Sequence, residues 1–229
     1  MNAQPKITLW YRWVAANALG ELLGLGLTFA AGYAVIALFG EARSPAGSLA
    51  QFLLMTATGV IEGTIVGQAQ WWAMAPYFQA GDRPALTRRE WLLATIAGAL
   101  AAWFLVSLPF TLMDMGAQAS GQPVQEPPLA LILLVAAGSG AFAGVILSFF
   151  QWRTLRQAVP NAGVWIPANA LAWALGMPLI FAATASIQAD TPPGQIALAL
   201  GTGILLAGAA VGAVHGAFLV RLAKLPQTL

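Results

Sequence analysis

The chain has 229 residues, 59% of them apolar and only 8% charged, with a formal net charge of +2. A soluble domain of this size carries about 25% charged residues, so these charges are too few to cover a water-facing surface. The composition is that of one transmembrane domain, residues 1–229. It excludes a fused soluble enzyme, and basic residues dispersed between apolar stretches exclude nucleic acid as a partner.

Six apolar stretches follow one another: Val14 to Leu38, Ala50 to Trp72, Trp91 to Met113, Leu129 to Trp152, Val164 to Ile187 and Ile196 to Val220. Each is near the ~20 residues that cross a hydrocarbon layer as a helix. Helix is the required reading, because a chain in lipid must satisfy its backbone internally and none of these segments alternates with the period of a barrel strand. The first stretch is too long for a cleaved signal peptide and is expected to be a retained helix. Thr87-Arg88-Arg89-Glu90 before Trp91 has capping-box spacing, while Pro45, Pro127-Pro128 and Pro192-Pro193 mark helix starts. Asn161 and Thr191 are expected to act as N-caps.

Charge placement sets an expected orientation. Lys6, Arg12, Arg83, Arg88, Arg89, Arg153, Arg156, Arg221 and Lys224 fall on one side of the spans. The other side holds Arg43 with Glu41, Asp114, Glu126 and Asp190. The positive-inside rule then places both termini in the cytoplasm of a bacterial inner membrane. Asp82-Arg83 and Arg88-Arg89-Glu90 are expected to be a solvated, topology-setting loop.

The chain also repeats itself. The stretch from Trp13 to Ala31 matches that from Trp165 to Ala183 at 11 of 19 positions, including Trp13/Trp165, Asn17/Asn169 and Leu19/Leu171. Span three opens on a weaker copy, Trp91 to Thr95, with Thr95 in the asparagine position. Spans two and four share Gly59-x3-Gly63-x6-Gln70-Trp71 and Gly140-x3-Gly144-x6-Gln151-Trp152. Span six keeps Gly208-x3-Gly212 and puts His215 where those spans have glutamine. The expected fold is an all-α membrane bundle of three parallel two-helix hairpins, about residues 10–79, 88–160 and 162–224, related by an axis along the membrane normal. Gly20, Gly24, Gly59, Gly63, Gly67, Gly140, Gly144, Gly208, Gly212 and Gly216 recur every four residues and are assigned to close helix packing.

Seven of nine tryptophans, Trp10, Trp13, Trp71, Trp72, Trp91, Trp152 and Trp165, sit at the ends read as cytoplasmic, and most are expected to be interfacial anchors. Asn17, Gln68, Gln70, Thr95, Gln151, Asn169 and His215 lie near the same level. They either bond between helices or line a vestibule.

Glu21 and Glu62 are the only charged side chains deep within the spans. Counted inward from Trp13 and Trp71, both stand about 12 to 14 Å from that interface. An ionised carboxylate at the bilayer centre costs about 2.5 to 3.5 kcal/mol, and no Lys or Arg lies deep enough to offset it. The pair is therefore protonated, shares a proton, or is supported by a cation or water. Thr58, one turn from Glu62, shares its expected face.

Other chemistry finds no foothold. A lone His215 and the absence of cysteine leave no metal site, and no cofactor is expected. P-loop, nucleophile-elbow and H-E-x-x-H motifs are missing, so no enzymatic activity is expected.

The segments Trp10-Tyr11-Arg12-Trp13, Ala16 to Glu21, Ala57 to Gly63 and Gln70-Trp71 resemble a group of uncharacterised bacterial multi-pass membrane proteins with repeated G-x-x-x-G and Q-W elements. That resemblance implies membrane location and no particular substrate. In its three parallel hairpins the expected architecture is also similar to mitochondrial carriers, without their P-x-[DE]-x-x-[KR] signature. The functional expectation is a small permease or proton- or cation-linked transport protein with Glu21 and Glu62 as its site, in contact with lipid and a small solute or ion. The alternative is a non-transporting assembly, sensor or lipid-binding module that meets a membrane-protein partner.

Overall fold

The computed structural model describes residues 4–40, 42, 44–78, 86–121, 127–188 and 190–223. It contains six long helices: α1 (Gln4–Phe39), α2 (Pro45–Phe78), α3 (Arg88–Ser120), α4 (Leu129–Ala158), α5 (Trp165–Ala185) and α6 (Pro193–Leu222). All six are long and apolar enough to cross a membrane. No strand occurs among the described residues. Glu41, Arg43, Asp82, Arg83, Glu126 and Lys224, which enter the charge argument, lie outside the described residues.

The helices overrun the apolar stretches because their ends are built from polar punctuation. At α3 the Thr87 hydroxyl accepts from Glu90 N at 3.2 Å while the Glu90 carboxylate accepts from Thr87 N at 3.1 Å, a complete capping box. Pro45 and Pro193 each open a helix, where a missing N–H costs nothing. Two expected caps are corrected. Asn161 adopts a left-handed conformation, φ 58°, ahead of the short 3₁₀ turn Ala162–Val164 and makes no side-chain cap. Thr191 instead accepts from Gln188 N at 2.8 Å, and Pro192 caps α6. Inside α2, Pro76 cannot bond the carbonyl of Trp72, four residues back. Arg12 Nη2 of α1 donates to that oxygen at 2.8 Å, joining the two helices at the freed group.

Each helix packs against the next, and α6 closes back on α1, so the six form a ring. Lipid is as apolar as leucine, so this association depends on close backbone approach rather than on hydrophobic burial. The glycines supply it in a regular order. Gly59, Gly63 and Gly67 of α2 seat α3, Gly140 and Gly144 of α4 seat α5, and Gly208, Gly212 and Gly216 of α6 seat α1. A Cβ on Gly63 would lie 2.7 Å from Ile96 Cα, and one on Gly208 would lie 2.8 Å from Asn17 O. Both would force backbones apart, which is why these helix faces need glycine.

Candidate functional site

At one end of the ring the interior is solid. Trp13, Trp91 and Trp165, from α1, α3 and α5, are fully buried. Their ring centroids are 6.0, 6.3 and 6.4 Å apart, an almost equilateral triangle with two edge-to-face pairs and one tilted pair. With Trp71 also buried, most of the expected anchors are anchors no longer. The correction has a physical cause: a large apolar indole can fill a protein interior as well as sit in a headgroup layer, and the Trp13 and Trp165 N–H groups find partners there.

Partners come from the amides. Asn17 Nδ2 donates to Trp13 O at 2.7 Å, and Asn17 Oδ1 accepts from Gln70 Nε2 at 2.9 Å. Gln70 Oε1 accepts from Gln151 Nε2 at 3.2 Å, which also donates to Thr95 Oγ1 at 3.0 Å. Gln151 Oε1 accepts from Trp165 Nε1 at 3.0 Å. His215 Nδ1 accepts from Trp13 Nε1 at 2.7 Å, so that nitrogen carries no proton. Asn169 bonds the Trp165 carbonyl at 2.9 Å, as Asn17 bonds that of Trp13. One hydrogen-bonded network thus reaches all six helices. Trp91 Nε1 is buried without a partner.

Further along the bundle the two acids lie on adjacent helices. Glu21 is 3% exposed, with Gly208 of α6 against its Cβ, and its Oε2 has no hydrogen-bond partner. Glu62 is half-buried and its Oε2 accepts from Trp103 Nε1 of α3 at 2.6 Å. Gly24, three residues on from Glu21, lies directly against the Glu62 backbone, so the two acids sit about one turn apart on adjacent helices. Helix α2 contains no Lys or Arg, and the nearest on α1 is Arg12, nine residues from Glu21 and about 13 Å away along the axis. A buried carboxyl oxygen left unbonded costs about 1–3 kcal/mol. Thr58 does not contribute its hydroxyl, which donates to Met55 O at 2.6 Å within α2.

Beyond Glu62 the helices leave a partly open cavity of about 260 Å³. It runs about 16 Å along α3, from Ala99 to Phe110, and its wall is almost wholly apolar. Glu62 and Ser107 are its chief polar side chains, and five aromatic residues line it: Phe29, Trp103, Phe110, Trp173 and Phe181. Sequence reasoning missed Trp103 as a partner of Glu62. A signal was present, since Trp103 and Trp173 are the two tryptophans that do not belong to the terminal group, and both line the cavity. Among the described residues no group of three or more His, Cys, Asp or Glu could hold a metal.

Comparison with family models, curated proteins and solved structures finds no match to this chain. Its function has to be argued from this geometry.

Proposed function

We propose that the chain is a small multi-pass permease of the bacterial inner membrane in which Glu21 and Glu62 take up and release a proton or a cation. The observation that carries this reading is the acid pair itself. Two carboxyl groups share the bundle interior with no basic residue near them, and one oxygen of Glu21 is unbonded. Binding a proton or cation removes that cost, and exchanging one for the other moves charge through the middle of the bundle.

The same proposal takes the three hairpins as parallel repeats with both termini cytoplasmic. The triangle of Trp13, Trp91 and Trp165 supports the repeat, and the basic residues near that end support the orientation. The solid indole and amide layer then closes the cytoplasmic side, and the cavity occupies the outer half.

Reconstitution tests the site. Purified chain in liposomes should show flux that varies with the pH gradient, and Glu21→Gln with Glu62→Gln should abolish it. Unchanged flux and unchanged pH dependence in the double variant would refute the assignment.

A second reading, a non-transporting assembly, sensor or lipid-binding module, is favoured by the same solid layer, through which no open path leads. It predicts a stoichiometric partner on mild extraction from native membranes and full tolerance of glutamine at both acids.

A further inference from the structure

The cavity wall narrows the choice of ligand. We infer that the space above Glu62 binds a lipophilic organic ammonium ion, its cationic head beside the Glu62 carboxylate and its apolar body against Phe29, Trp103, Phe110, Trp173 and Phe181. This deepens the permease reading and rests on the same acid pair.

Four properties of the site converge on that class. The acid pair lacks any basic counter-charge, so a cation gains what a neutral or anionic ligand cannot. The remaining surface is aromatic and aliphatic, and the faces of indole and phenyl rings attract alkylammonium groups, by about 2 kcal/mol or more once water is excluded. Inorganic cations fit poorly. A hard cation such as Ca²⁺ needs about six or more oxygens, whereas the lining offers the side-chain oxygens of Glu62 and Ser107. Finally, the size is definite: a cavity of about 260 Å³ suits a body of roughly ten carbon-sized groups and excludes a whole phospholipid.

The bond from Trp103 Nε1 to Glu62 Oε2 adds a positioning element. It holds one carboxylate oxygen and keeps the Trp103 ring beside Glu62 in the cavity wall.

Calorimetric titration of the full chain in detergent tests this with benzyltrimethylammonium, using N,N-dimethylbenzamide as a neutral control of the same heavy-atom count. The ammonium should bind at least about tenfold more tightly than the amide. Glu62→Gln should remove that preference. Ala143→Leu, which narrows the cavity while leaving both acids intact, should weaken ammonium binding by a further independent route, about tenfold, and serves if the glutamine variant does not fold. Equal affinity for the two compounds, no binding of the ammonium at about 10 mM, or indifference to Ala143→Leu would overturn the inference.

The two proposals fail separately. If liposome flux depends on Glu21 and Glu62 but the ammonium is neither bound nor carried, the ligand class is wrong and the permease stands. If the ammonium binds in a Glu62-dependent way but no flux is found, the site is a receptor and transport is wrong.

Discussion

At the Trp13 end, three indoles meet within 6.4 Å of one another and a network of amides, a hydroxyl and an imidazole joins all six helices. Some 12 Å along the same helices Glu21 and Glu62 sit on neighbouring helices, one indole N–H bonds Glu62, and beyond them the bundle holds a partly open cavity. Both regions bury polar groups in lipid-level protein. The first joins its groups from helix to helix with one indole N–H, that of Trp91, left over. The second leaves one oxygen of buried Glu21 unbonded and sets Glu62 in the wall of an apolar space. Each region holds an unpaired polar group, so the contrast between them lies in its chemistry, a neutral indole in one and an acid in the other.

Substitutions can break or sharpen this contrast, read as shifts in the unfolding midpoint in mixed micelles. The largest effect belongs to the ring itself: Gly63→Leu drives a side chain into Ile96 Cα and should cost about 3 kcal/mol or prevent folding. Next comes the hub of the solid layer. Gln151→Leu removes bonds to Gln70, Thr95 and Trp165 and leaves their groups unpaired, for about 2 kcal/mol. Within the indole triangle, Trp165→Phe should cost about 1 kcal/mol more than Trp91→Phe, because Trp165 Nε1 has an acceptor and Trp91 Nε1 has none. The smallest effect is expected at the cavity. Ala143→Leu should change stability by less than about 0.5 kcal/mol, whereas Ala168→Leu, one turn from Trp165 and 1% exposed, should cost about 1–3 kcal/mol. Equal costs at Ala143 and Ala168 would mean that the two regions are packed alike.

Much of the bundle was legible before any coordinates. Six apolar runs near 20 residues permit little else, and Thr87 with Glu90 announced the start of α3 in side-chain chemistry that acts over three residues. The glycine rows named the packing faces because a period of four residues is a helix face. A fixed rise per residue gave Glu21 and Glu62 one expected depth, and the packing sets Glu62 beside Gly24, about one turn along α1 from Glu21. Misreadings came where a local signal has two uses. Asn161 and Thr191 are good capping residues, but a following proline-led or 3₁₀ start left them other roles. Trp13, Trp91 and Trp165 had the composition of interfacial anchors, and only the direction in which each helix faces put them inside.

The amino-acid order by itself determined that the chain has six stretches long and apolar enough to cross a membrane, which helix faces are small enough to touch, and that two acids fall deep within the spans without a counter-charge. These depend on composition, helical period and rise, all properties of single segments. The tertiary structure decided which tryptophans turn inward, that Trp103 meets Glu62, and that an aromatic cavity stands above the acids. Those depend on how far apart six packed helices come to rest, a quantity no single segment contains.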